Sequence, residues 1–135
     1  MADTVQRARI VQLILERYGA AEEHPFRNDP VSAVFRCSNN QKWFAVMMRI
    51  PKTRLGLASD GTAEILNLKC GQILAGSLQR MPGFFKAYHM NKDSWITILL
   101  DGTVPDEQIA FLLDISRESV SVQKKASRKA GRSRL

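Results

Sequence analysis

A chain of 135 residues has room for one domain with one core, and its 44 % apolar and 24 % charged residues exclude a wholly disordered or collagen-like polymer. No apolar run approaches the ~20 residues of a membrane span, and the opening residues show no secretory signal pattern, so the expected location is cytoplasmic. The net charge of +7 is uneven: residues 30–92 hold 9 basic and 2 acidic residues, residues 117–135 hold 7 and 1, and the intervening 93–116 hold 5 acidic and no basic ones.

Asp3 and Gln6 stand at capping-box spacing, and Val5, Ala8, Val11, Ile14, Leu15 and Tyr18 recur at helical intervals, which predicts a first helix stopped at Gly19. A loop rich in breaking residues follows from Ala21 to Pro30. Ala33–Cys37 and Lys42–Ile50 read as two strands around Ser38-Asn39-Asn40-Gln41, whose asparagines tolerate the left-handed backbone of a tight hairpin. Alternation in the second strand puts Phe44, Val46, Met48 and Ile50 on one face and Trp43, Ala45 and Met47 on the other. Both faces are apolar, so this strand should be central.

The turn Ser59-Asp60-Gly61-Thr62 launches a strand from Ala63 to Lys69, and Gln72–Met81 has helical spacing closed by Pro82-Gly83. Trp95–Leu100 is the last strand, and Thr103, Pro105, Asp106 and Glu107 open a final helix ahead of Ile109, Leu112 and Leu113. The expected fold class is α+β, an antiparallel β-sheet meander with helices packed on one face. One core should hold Trp43, Val46, Met48, Ile65, Leu68, Trp95, Ile98, Leu112 and Leu113. The domain is expected to occupy residues 1–122. Residues 123–135 have no apolar side chain larger than alanine before Leu135 and read as a disordered basic tail.

Chemistry is sparse. His24 and His89 are the only histidines and neither sits in a metal-ligand spacing, Cys37 and Cys70 lie far apart and read as free thiols, and no phosphate-cradling or nucleophile-elbow motif occurs. No catalytic residue, cofactor or metal is expected. The weakest of three readings, an enzyme centred on Cys70 and His89, lacks any partner spacing.

The stretch from Val31 to Ser59 contains no acidic residue and carries Arg36, Lys42, Arg49, Lys52 and Arg54. Lysines and arginines so placed suit phosphate contact, because each neutralised phosphate releases condensed counterions. The tail adds Lys124, Lys125, Arg128, Lys129, Arg132 and Arg134. The leading expectation is therefore a nucleic-acid partner, DNA before RNA, bound through phosphates with little sequence selectivity. The alternative is a protein-interaction or small-ligand domain without nucleic acid, its pocket formed by Trp43, Phe84, Tyr88, His89 and Trp95.

Trp43-Phe44-Ala45-Val46, Arg49, Gly56, Leu66-Asn67-Leu68-Lys69-Cys70 and the block from Pro82 to Gly102, with Pro82-Gly83-Phe84-Phe85, Tyr88-His89-Met90-Asn91-Lys92 and Trp95-Ile96-Thr97-Ile98, resemble the MmcQ/YjbR family. The similarity runs from about Val5 to Val120. It implies a fold like that of the bacterial frataxin CyaY and a DNA-binding protein with a double-wing arrangement, and it brings no catalytic residue. The first helix departs from a frataxin-type iron ridge, with Asp3 and Glu16 against Arg7, Arg9 and Arg17.

Overall fold

The computed structural model of the chain describes residues 5–130, with side chains described through residue 121. Helix α1 spans Gln6–Tyr18, strands β1 and β2 span Ala33–Arg36 and Trp43–Pro51, a 3-10 turn follows at Lys52–Leu55, and β3 spans Thr62–Lys69. Helix α2 covers Gln72–Leu78, β4 covers Phe84–Lys86, β5 covers Trp95–Leu99, and α3 runs over Asp106–Ala130. The strands form one sheet in the order β1-β2-β3-β5-β4, and every neighbouring pair is antiparallel. The α+β expectation holds, with one strand more than the sequence reading supplied: β4 is three residues long and exists through its pairing with β5.

All three helices pack on one face. Ile10 and Ile14 of α1, Ala75 and Leu78 of α2, and Ile109, Leu112 and Leu113 of α3 share a cluster with Ala33, Phe35, Ala45, Met47, Leu66, Leu68, Ile96 and Ile98 of the sheet. The expected single core is split accordingly. Leu68, Ile98, Leu112 and Leu113 belong to this cluster; Val46, Ile65 and Trp95 are buried outside it, and Trp43 and Met48 are only half-buried. Residues that alternate along a strand project to opposite faces, so that list had mixed two layers.

A bulge explains the sharpest departure. Phe35 pairs with Ala45 but Arg36 pairs with Trp43, so Phe44 is the extra residue on β2. A bulge re-aims the side chain it carries. Phe44 therefore joins Ala45 and Met47 in the helix-side cluster and meets the Tyr18 ring edge-on at 5.3 Å, instead of sharing a face with Val46 and Met48.

The helix termini are fixed by tertiary contacts. Gln6 is fully buried; its amide donates to the Val104 carbonyl at 2.8 Å and to Asp106 at 2.9 Å, and its carbonyl accepts from the Gly102 N–H. It serves the joint between α1 and α3 rather than a capping box, and Asp3, the other half of that expected box, lies outside the described residues. Arg9 and Arg17 pair with Asp106 and Asp114 across the same seam. Gly83, at φ +87, is packed so closely that a Cβ there would sit 2.6 Å from Val104 Cγ2.

Expected as an ordinary loop, the segment after α1 instead forms a bridge between Glu23 and Val34 along the outer edge of β1. In the β1–β2 turn the left-handed residue is Gln41. Asn39 and Asn40 use their side chains instead, donating to the Ser121 hydroxyl at 2.9 Å and the Val120 carbonyl at 3.2 Å. Ser116 is fully buried and stands between two strands: its hydroxyl donates to the Phe44 carbonyl at 2.6 Å and accepts from the Lys69 N–H at 2.9 Å. These contacts lock α3 to the hairpin end of the sheet.

Beyond them the helix continues to Ala130, through residues read from sequence as the start of a disordered tail. No glycine or proline interrupts 106–130, and Gln, Lys, Ala and Arg are good helix formers. Among the described residues no helix is long and apolar enough to cross a membrane.

Candidate functional site

The face of the sheet opposite the helices carries Val34 and Arg36 from β1, Trp43 and Val46 from β2, Ile65, Asn67 and Lys69 from β3, Trp95 and Thr97 from β5, and Phe85 from β4, as the strand registers require. Among the described residues no helix lies over it. Loops cover it at two points: Phe26 meets Trp43 edge-on at 5.8 Å, and the segment after β4 crosses over Asn67 and Thr97.

That second crossing is held by a closed ring of hydrogen bonds. Asn67 and Thr97 are fully buried. The Thr97 hydroxyl donates to Asn67 Oδ1, Asn67 Nδ2 donates to the Tyr88 carbonyl at 3.2 Å, and the Tyr88 N–H donates to Thr97 Oγ1 at 2.9 Å. Burying an amide and a hydroxyl is costly unless both are satisfied, and here each is satisfied by the other or by the Tyr88 backbone. His89 follows at φ +60, and its ring stacks on Tyr88 with centroids 4.0 Å apart and planes 12° from parallel.

Two clefts result on or beside this face. The first, of about 400 Å³, is lined by Arg36, Lys42, Trp43, Lys69, Trp95 and Val120 at the hairpin end. Arg36 donates to Glu23 at 2.9 Å and lies over the Trp43 ring at 6.0 Å. Burial, and next the charge of Lys42, holds the Lys69 ammonium below its ordinary range. The second cleft, of about 550 Å³, is lined by Arg54, Leu55, Phe85, Lys86, Tyr88, His89 and Lys92. Among the described residues neither cleft has an acidic residue in its lining.

The five hairpin cations thus do not form one patch. The nine residues of β2 set Arg36 and Lys42 roughly 25–30 Å from Lys52 and Arg54. Arg49 is engaged on the helix side, donating to Glu64 at 2.5 Å while Arg7 donates to the other oxygen at 2.7 Å. Lys52 lines a separate cleft with Glu64 and Asp101. The five residues read as an alternative pocket separate too: Trp43 and Trp95 line the first cleft, Tyr88 and His89 the second, and Phe84 is buried in the helix-side cluster. Phe84 and Phe85 point to opposite faces because they are neighbours in a strand.

Lys69, Phe85, Lys86 and Lys92 were not picked out as site residues. The signal for the three lysines is the 9-to-2 basic excess of residues 30–92, which extends well past the acid-free stretch; nothing local marks Phe85. The tail cations Lys124, Lys125, Arg128, Lys129, Arg132 and Arg134 have side chains outside the described residues. The backbone of α3 nevertheless places their point of departure at Val120, on the rim of the first cleft.

Cys70 and His89 lie in different surroundings. Burial pushes the Cys70 thiol up to about 11, so it is neutral at pH 7, and the residue belongs to the helix-side cluster, whereas His89 is exposed over the other face. Among the described residues no three His, Cys, Asp or Glu side chains come together as metal ligands would.

The YjbR family model matches residues 15–119. The uncharacterized protein YyaQ of Bacillus subtilis is 34 % identical over 110 residues, covering 82 % of this chain and 93 % of YyaQ. The uncharacterized protein YjbR of Escherichia coli K12 is 27 % identical over 95 residues, 68 % of this chain and 80 % of that one. A crystal structure of a Pseudomonas syringae protein superposes with a TM-score of 0.79 at 38 % identity, over 82 % of this chain and 94 % of that one. A Deinococcus radiodurans protein with the domain DUF419 shares the fold, with a TM-score of 0.64 at 24 % identity over 93 % of this chain and 85 % of its own.

Proposed function

The chain belongs to the YjbR family, and we propose that it is a non-enzymatic nucleic-acid-binding protein, directed to phosphates and weakly selective for sequence. The observation that carries this reading is the first cleft. Arg36, Lys42 and Lys69 converge there with Trp43 and Trp95, beside Val120, from which α3 continues to Ala130 along a stretch whose sequence holds Lys124, Lys125, Arg128 and Lys129. Like charges at Lys42 and Lys69 repel, and a phosphate between them relieves that repulsion while releasing its own counterions. The tryptophans add apolar walls against which sugar or base can pack. Phosphate contacts position a protein without reading base edges, so selectivity should be slight. The buried, neutral Cys70 thiol gives no reason to add a nucleophilic step.

The test is fluorescence anisotropy of labelled DNA and RNA across a salt series. Binding at ~50 mM salt that weakens linearly in log salt is expected, and truncation after Val122 should flatten the slope by roughly 0.9 for each lost phosphate contact. Absence of salt-dependent binding by the full-length protein to any of these probes overturns the reading. The apolar cleft of about 580 Å³ that includes Leu57, Ala58, Leu99 and Leu100 would then become the place to look for a small ligand.

A further inference from the structure

We infer that the second cleft is a nucleotide site that takes one unpaired residue of a single-stranded nucleic acid, its base stacked on the His89 ring and its phosphates held between Arg54 and Lys92. The inference rests on the nucleic-acid reading above and specifies which form of nucleic acid this end of the protein selects.

Three independent features meet here. The first is charge: Arg54 and Lys92 come from the 3-10 turn and the loop before β5, both are exposed, and neither makes an ion pair among the described residues, while Lys86 lines the rim from the edge strand β4, whose register turns it to the helix side. The arginines on the helix side behave otherwise, Arg7, Arg9, Arg17 and Arg49 each holding a carboxylate. Two cations from separate elements, with no carboxylate among the described lining residues, suit an anionic guest such as a phosphate.

The second feature is the aromatic platform. Tyr88 and His89 are stacked nearly parallel, with Tyr88 half-buried behind an exposed His89 ring and Phe85 half-buried beside them. A flat ring exposed beside fixed cations is the arrangement that single-strand binders use, and it favours an unpaired base because the bases of a duplex already stack on each other.

The third is the cost of holding it there. The Tyr88 backbone is fixed at both its N–H and its carbonyl by Asn67 and Thr97, two polar side chains fully buried in the middle strands. His89 occupies the left-handed region, uncommon for a residue with a side chain though histidine is among those that adopt it more readily, and it follows directly on the pinned Tyr88 backbone. The platform is thus built in place before any ligand arrives, and little ordering entropy remains to be lost on binding. The volume of about 550 Å³ suits a nucleotide-sized guest.

The experiment compares full-length protein binding to a labelled single-stranded oligonucleotide of ~12 residues and to the blunt duplex of the same sequence. Two variants are used, His89→Asn, which keeps a residue tolerant of the left-handed backbone while removing the ring, and Arg54→Ala/Lys92→Ala. Each should weaken single-strand binding by roughly tenfold while duplex binding changes less than about twofold. A 2-aminopurine in the single strand should be quenched by the unaltered protein and not by His89→Asn. Equal losses on both probes, or no loss on either, overturn the nucleotide site while leaving the nucleic-acid reading intact. Full-length protein that binds neither probe overturns both.

Discussion

The two faces of the sheet are made from the same strands and are both largely buried, yet they are held by different means. The helix-side face is closed by aliphatic and aromatic packing, and its arginines are paired with the acids of α3 and β3. On the other face, loops do the covering, a ring of hydrogen bonds ties one of them down, and several cations are left toward solvent. A residue's charge therefore says less than its surroundings: Arg7, Arg9, Arg17 and Arg49 are part of the scaffold, whereas Arg54 and Lys92 make no ion pair among the described residues.

The helix-side face should be the more sensitive of the two to a single substitution. Phe44→Ala empties a fully buried ring position on the helix side and should cost about 3–5 kcal/mol by chemical denaturation. A cost below ~1 kcal/mol would mean that the bulge does not turn Phe44 into the cluster. Gly83→Ala should cost roughly 3 kcal/mol, because a Cβ meets Val104 and the backbone there is left-handed. Retention of the wild-type denaturation midpoint would remove the close approach of β4 to the loop that opens α3.

On the other face the expected losses are smaller and more local. Asn67→Ala leaves the Tyr88 carbonyl and the Thr97 hydroxyl short of a partner and should cost roughly 1–3 kcal/mol. Hydrogen exchange should then quicken at Tyr88 and its neighbours before the helix-side strands. Uniform quickening would show that the two faces are not separable in this way.

The smallest effect concerns pH. Hydrogen bonds from Arg17, and then from the Tyr18 hydroxyl, hold the Asp114 carboxyl down at about 2 in the folded chain, against about 3.9 when unfolded. A lowered folded value contributes stability that is complete above about pH 4 and is lost as pH falls toward 2. The stability difference between the protein and Asp114→Asn should shrink across that window. It should be modest, because Asp114 is 44 % exposed and water screens the pair. A difference unchanged from pH 5 to pH 2 would remove the ion pair from the helix-side account.

Much of the fold was legible because turn chemistry and alternation agree in this chain. Asp60-Gly61 opens β3 where the turn signal placed it, and the double-sided apolar pattern of β2 marks a strand with neighbours on both sides. Three features were not legible. β4 is too short to show a period, and only its pairing to β5 makes it a strand. The bulge at Phe44 leaves the alternation of β2 looking unbroken. Asn67 and Thr97 look like solvent-facing positions, since nothing local says that a loop 20 residues downstream of Asn67 will cross above them. The site was half legible for the same reason: a basic excess is visible in one dimension, but which cations share a cleft depends on the faces and ends to which the strands deliver them.

The sheet's two rims have a consequence for the behaviour of the protein in a crowd. An exposed strand edge is a template on which another chain can continue the sheet. Here one rim is interrupted where Glu23 bonds to Val34, and the other ends in a strand of three residues that carries Lys86. Neither offers a long, uncharged row of amides and carbonyls. Among the described residues, then, neither rim presents the template that edge-to-edge growth of the sheet needs.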